Sequence, residues 1–159
     1  MDCSIRQIAT ALFLLQSANY MNYENDNRGK IQYRDRARQI IDFSNLRYGN
    51  ITPTDIDGCI EYHDKAVLFL EYKYLDAEMP RGQKIAYERI VNDIQRNKNK
   101  DCALFVCSHD VHDCNQDIDA SKAVVMKIYW HGEWIGGKEK TVKEHADNYF
   151  KWIDNKSPF

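Results

Sequence analysis

The stretch 60–73 is the part of this chain that most constrains its fold. Ile60 and Tyr62 alternate with polar positions, a polar turn follows at 63–65, and a continuous apolar run occupies 67–70. Alternation is typical of a half-buried strand, and a short apolar run bounded by polar residues is typical of a buried one. The stretch therefore predicts a β-hairpin whose second strand lies inside a sheet.

The charged residues around this hairpin predict a site. If the turn is centred on Asp64, Asp57 lies opposite Glu71, and Lys73 follows Glu71 on the same face, because alternate residues of a strand share a face. Opposed carboxylates are unfavourable unless a cation neutralises them. Lys73 can do this in part and a divalent cation can do it better, since Mg²⁺ prefers oxygen ligands. We expect these three side chains to converge, with Asp55 at the margin.

The rest of the chain predicts helices and further strands. Apolar residues at helical spacing predict helices at about 3–19 and 32–47, and a third helix opens at Pro80 and ends near 95. Strands are predicted at 102–107 and 123–131, the latter turning into 133–135, and a capping box at 141–144 opens a last helix. This order predicts one α/β or α+β domain over 1–159, with an N-terminal helix and loop extension at 1–31 and a core at 32–159.

Three motifs together resemble a known nuclease family. Asp57, then thirteen residues, then Glu71-Tyr72-Lys73 resembles the D…(D/E)xK core of the PD-(D/E)xK nuclease superfamily. Gln83 and Tyr87 are similar to the Q-x-x-x-Y motif of its branch of lambda exonuclease and bacterial recombination nucleases. The order helix, strand, strand, helix, strand over about 32–107 resembles the superfamily core. The runs 53–58 and 82–84 also resemble small phage-encoded members.

The resemblance implies a fold and an activity. The fold would be a restriction-endonuclease-like core, a central mixed sheet flanked by helices. The activity would be hydrolysis of DNA phosphodiester bonds by water activated by Mg²⁺ or Mn²⁺. The roles it implies are metal ligation by Asp57, Glu71 and the Tyr72 carbonyl, catalysis by Lys73 assisted by Gln83 and Tyr87, and DNA binding by Arg81 and Lys84.

One departure from the family keeps a second interpretation open. Many relatives carry a glutamate on the first core helix that completes the metal site, whereas residues 32–47 contain only Asp35 and Asp42, and Glu24 lies in the preceding loop. The alternative is a nuclease-fold protein with weak or no catalysis that binds DNA or a protein partner, such as a phage-encoded interaction factor.

The cysteines and histidines suggest metal sites of another kind, but their spacing disfavours them. Between Cys107 and Cys114, His109 and His112 complete a C-x-H-x2-H-x-C pattern that fits no usual structural zinc site, so a polar loop is favoured. His109 could instead face the active site. An iron–sulfur cluster on Cys59, Cys102, Cys107 and Cys114 is disfavoured because Cys59 lies in the hairpin.

Bulk composition sets broader limits. Five cysteines, an odd number, disfavour a secreted disulfide framework and predict a cytoplasmic protein. The net charge of −2 means that DNA binding must depend on a local basic face. No apolar run is long enough for a membrane span, and the N-terminal apolar residues follow helical spacing instead of a signal-peptide pattern. That helix is a candidate surface for homo-oligomer formation.

Overall fold

This computed structural model describes residues 45–156 without a break, together with Lys30, Ile31, Tyr33, Arg36, Gln39, Asp42 and Phe43. The helix predicted at 3–19, and with it the predicted oligomer contact, lies outside the described residues. The chain divides into two compact units, 1–46 and 47–159, and the elements below all belong to the second unit.

The prediction of a helix over 32–47 is wrong at the C-terminal end of that range. Arg36 is helical, but residue 45 lies in a turn and residue 46 in a bend. Tyr48 and Ile51 then exchange two backbone hydrogen bonds across a tight turn in which Gly49 has a φ of 65°. Glycine adopts such a backbone without a steric penalty, which favours a turn at this point over another helical turn.

The core is a mixed five-stranded sheet in which neighbouring strands follow the chain order. The strands are β1 (Gly58–Tyr62), β2 (Ala66–Tyr74), β3 (Asp101–His109), β4 (Val124–Trp130) and β5 (Glu133–Gly136). Only β2 and β3 are parallel, and the other three pairs are antiparallel. The predicted α+β class with a central mixed sheet is therefore confirmed.

The β1–β2 hairpin has the predicted register. Gly58 pairs with Leu70 and Tyr62 pairs with Ala66, which centres the turn on Asp64. His63 and Asp64 both have positive φ, and the Lys65 amide donates to the Tyr62 carbonyl at 2.9 Å. This register extends towards Asp57 and Glu71, which flank the last pair of the ladder.

Helix α1 (Arg81–Gln95) connects the parallel strands β2 and β3. Pro80 precedes the first helical residue instead of occupying it, and its carbonyl accepts the first helical hydrogen bond from Lys84 at 3.0 Å. Gln83, Tyr87 and Val91 are the buried residues of the helix. Because they are spaced by four, they form one stripe that faces the sheet.

Helix α2 (Val142–Lys156) opens with the predicted capping box. The Thr141 hydroxyl accepts from the Glu144 amide at 3.2 Å, and the Glu144 carboxylate accepts from the Thr141 amide at 2.9 Å. The helix buries Val142, Ala146 and Ile153, while Tyr149 and Phe150 are only partly buried. A single-turn 3₁₀ helix (Ala120–Lys122) lies between β3 and β4.

The two faces of the sheet bury different hydrophobic cores. On one face, Leu68, Leu70, Phe105 and Cys107 pack with residues of α2. On the other face, Val67, Phe69 and Leu104 pack with Tyr87 and Val91 of α1. The α1 face therefore receives the odd-numbered side chains of β2. Among the described residues, no helix has the length and apolar character needed to cross a membrane.

Candidate active site

The predicted acidic pair and lysine meet at the end of β2. Glu71 and Lys73 continue the odd-numbered face of β2, and Glu71 is 2% exposed. Asp57 lies one residue before β1, and its Oδ2 accepts a hydrogen bond from the Tyr72 amide at 2.7 Å. The hairpin therefore brings Asp57 to the strand segment that carries the other two residues.

Both oxygens of the buried Glu71 carboxylate are engaged. Lys73 Nζ lies 2.6 Å from Oε1, and the Tyr87 hydroxyl donates to Oε2 at 2.8 Å. Burying a carboxylate is costly unless it is paired and hydrogen-bonded, and here it has one cationic and one neutral donor. These two contacts explain how a charge is kept at the end of an otherwise apolar strand.

Helix α1 adds the second predicted pair to the same network. Gln83 is 7% exposed and its Oε1 accepts from Lys73 Nζ at 3.3 Å. Gln83 Nε2 donates to Asp55 Oδ1 at 3.5 Å, a long contact. The lysine ammonium is thus held between a strand carboxylate and a helix amide, with Asp55 at the margin of the network as expected.

Neighbouring carboxylates and burial determine the pKa values in this site. Burial raises the pKa of Asp57 above its ordinary value, and Glu71 and Asp55 raise it further, while the Tyr72 amide and Lys73 act in the opposite direction. Burial and the hydrogen bond to Glu71 raise the pKa of Tyr87, so this phenol remains a donor at neutral pH. Three carboxylates therefore lie near one another, and the Lys73 ammonium is ion-paired with one of them, Glu71.

The donor set is compatible with a hard divalent cation. Asp57 uses only Oδ2 in its bond to Tyr72, so Oδ1 can face an ion, and the oxygens of Glu71 could be shared between an ion and Lys73. Mg²⁺ is commonly held by one or two carboxylates and keeps several waters. The described residues contain no group of three or more His, Cys, Asp or Glu side chains placed to hold a metal.

A groove of about 490 Å³ adjoins Lys73 on the α1 face of the sheet. Lys84, one of the two predicted DNA-binding residues, lines it, whereas Arg81 is exposed at the start of α1 and is not part of the lining. The groove is also lined by Trp134 and Lys127. Sequence reasoning missed Lys127, which pairs with Val106 of β3 and therefore lies on the α1 face of the sheet.

The cysteines and histidines between 107 and 114 are not grouped as a metal site in the described part of the chain. Cys107 is fully buried in the core on the α2 face, and His109 packs on the ring of Tyr74. His109 is in register with Tyr74 and not with Lys73, so it does not face the acidic pair. His112 contacts the Tyr74 hydroxyl through Nδ1.

Comparisons with known proteins add no relative: no family model, no curated protein and no solved structure matches this chain.

Proposed function

We propose that this protein is a metal-dependent nuclease that hydrolyses phosphodiester bonds of DNA, with a PD-(D/E)xK-type site. The observation that carries the proposal is the convergence at the end of β2 of Asp57, which accepts from the Tyr72 amide, with the Glu71–Lys73 ion pair. The antiparallel β1–β2 pair, the α1 crossover and the parallel β3 are in the order expected of a restriction-endonuclease-like core.

The residues have separable roles in this proposal. Asp57 and Glu71, with the Tyr72 carbonyl, would hold Mg²⁺ or Mn²⁺, which when bound polarises the phosphate and acidifies a water. Lys73, as an ammonium, orients the attacking water and offsets charge on the phosphate. Gln83 positions the lysine through its 3.3 Å contact, and Tyr87 holds the Glu71 carboxylate by the opposite oxygen.

A cleavage assay tests the proposal. Linear, circular and single-stranded DNA are incubated with Mg²⁺, Mn²⁺ or EDTA, using the wild-type protein and Lys73→Ala. We expect cleavage only with metal and a loss of at least about 100-fold in Lys73→Ala, the range for removing one catalytic group. Lys143→Ala is the matched control, because this lysine is exposed on α2 and pairs with Asp147.

A metal-binding measurement provides a readout independent of turnover. Mn²⁺ should raise the melting temperature of the wild-type protein and of Lys143→Ala, because a ligand that binds only the folded state stabilises it. Asp57→Asn should lose most of this rise. Cleavage that persists in EDTA, or a rise that is unchanged in Asp57→Asn, would contradict the proposed site.

A second candidate function is DNA or protein binding without efficient catalysis. It is favoured by the Glu71 carboxylate, both of whose oxygens already have donors, and by the lack of glutamate in 32–47. Metal-independent binding of DNA without cleavage in the same assay would support this candidate over the nuclease.

A further inference from the structure

The groove next to Lys73 is lined by both apolar and charged side chains. Its floor and wall include the apolar side chains of Met79, Val106 and Trp134, and Lys84 and Lys127 contribute ammonium groups. Its volume of about 490 Å³ lies in the range of small-molecule sites. Because Lys73 belongs both to the acidic network and to the groove lining, a group bound in the groove would lie beside the proposed scissile phosphate.

Trp134 is held as a fixed platform. Its Nε1–H donates to Glu88 Oε1 at 2.7 Å, and its ring lies 5.0 Å from the ring of Tyr129. Lys84 Nζ lies 5.0 Å from the indole centroid and 3.9 Å from Glu88. Lys84 is about half exposed, so its ammonium can leave the ring when another group stacks there, whereas the indole stays anchored.

The charges around the groove favour a base over a continuous phosphate backbone. Asp76 and Glu78 line it along with the lysines, so it is not a uniformly cationic track. A duplex backbone would bring several phosphates past these acids, which repel them. A single nucleobase meets an aromatic ring and apolar side chains, while its flanking phosphates can reach Lys84 and Lys127.

We propose that this groove binds an unpaired nucleobase next to the scissile phosphate, stacked on Trp134, so that the substrate is single-stranded DNA or a frayed DNA end. The inference rests on the proposed nuclease function and specifies its substrate class. A base inside an intact duplex is stacked and paired, and must be extruded at a cost before it can enter such a pocket.

Binding in EDTA tests the groove without requiring catalysis. The probes are a labelled oligothymidylate, an abasic strand of the same length and a duplex. Fluorescence anisotropy measures the affinity of the protein for each probe. We expect wild type to prefer oligothymidylate, and Trp134→Leu to bind it about tenfold more weakly, in line with the loss of one stacked base. Trp134→Phe should recover most of this affinity. Trp152→Leu, on α2, is the matched control and should bind like wild type.

The outcomes separate the two proposals. Equal binding of oligothymidylate by wild type and a folded Trp134→Leu, or equal affinity of wild type for duplex and single strand, would overturn the groove proposal. If Trp134→Leu does not fold, the wild-type protein alone provides the test. Stacking requires the wild type to bind the abasic strand more weakly than oligothymidylate, and equal affinity for the two would overturn the proposal. Trp134-dependent binding without any metal-dependent cleavage would refute the nuclease and leave the groove standing.

Discussion

Replacing Tyr87 by phenylalanine removes one hydroxyl from the buried side of the site. The Tyr87 ring is 1% exposed, and its hydroxyl donates to Glu71 Oε2 at 2.8 Å. The substitution keeps the ring in place and leaves that carboxylate oxygen without this donor. A hydrogen bond to a charged acceptor is worth about 1.5–3 kcal/mol. We therefore expect the free energy of unfolding to fall by about 2 kcal/mol.

Tyr129→Phe is the matched control for this prediction. Tyr129 is also buried on the α1 face, but its hydroxyl bonds to the neutral amide of Asn92 at 3.0 Å and 3.2 Å. A neutral hydrogen bond contributes about 1 kcal/mol. Urea unfolding at neutral pH in EDTA, with equal m-values, gives both losses. If Tyr87→Phe costs no more than Tyr129→Phe, Glu71 is not a charged acceptor that depends on this hydroxyl.

Three further predictions concern residues outside the site. Gly137→Ala should destabilise by at least about 3 kcal/mol in urea unfolding, because the new Cβ would lie 1.8 Å from a β4 carbonyl oxygen; Gly136→Ala, with open space around it, should cost far less. Hydrogen bonds from Thr141 lower the pKa of Glu144, so its contribution to stability is present above the ordinary glutamate value and lost as pH falls through the lowered one. Glu144→Gln should flatten that part of a melting-temperature profile. Burial raises the pKa of Cys107 to about 12, so alkylation mapped by mass spectrometry at pH 8 should spare it until the protein is unfolded.

The hairpin and its charges could be predicted because local patterns decide them. A polar turn between an alternating strand and an apolar run leaves one register that buries the apolar side chains, and that register brings Asp57 towards Glu71. The spacing of Gln83 and Tyr87 likewise places both on one face of α1. These inferences need only periodicity and the position of the turn.

Other features depend on contacts distant in sequence. The register change between Val106 and Cys107 shifts which β4 side chains reach the α1 face, and no residue pattern in β3 signals it. The end of the helix predicted at 32–47 was misplaced because a turn at Gly49 outweighs helical spacing. The network around Asp101, which joins strand, turn and helix residues, has no sequence signature.

The contrast between Asp101 and Asp57 separates a structural carboxylate from a candidate functional one. Asp101 is buried and accepts from Trp130 Nε1 at 2.8 Å and the Tyr149 hydroxyl at 2.9 Å, and Lys156 and the His131 ring lie within 4 Å of its other oxygen. Both of its carboxylate oxygens therefore have partners inside the protein. Asp57 instead accepts one backbone hydrogen bond, and burial and two neighbouring acids raise its pKa.

This imbalance predicts opposite effects for the same chemical change. The pKa of Asp57 is higher in the folded protein than in the unfolded chain. The stability that such a carboxyl contributes is present below its unfolded pKa and is lost as the pH rises through its folded pKa. Ionised Asp57 therefore opposes folding at neutral pH. Asp57→Asn should therefore raise the metal-free melting temperature, whereas Asp101→Asn, which leaves buried donors poorly matched, should lower stability by about 2–4 kcal/mol. Calorimetry in EDTA measures both. A protein that keeps a destabilising carboxylate is expected to use it, and a metal-free Asp57→Asn less stable than wild type would remove that reason for assigning the site a cation.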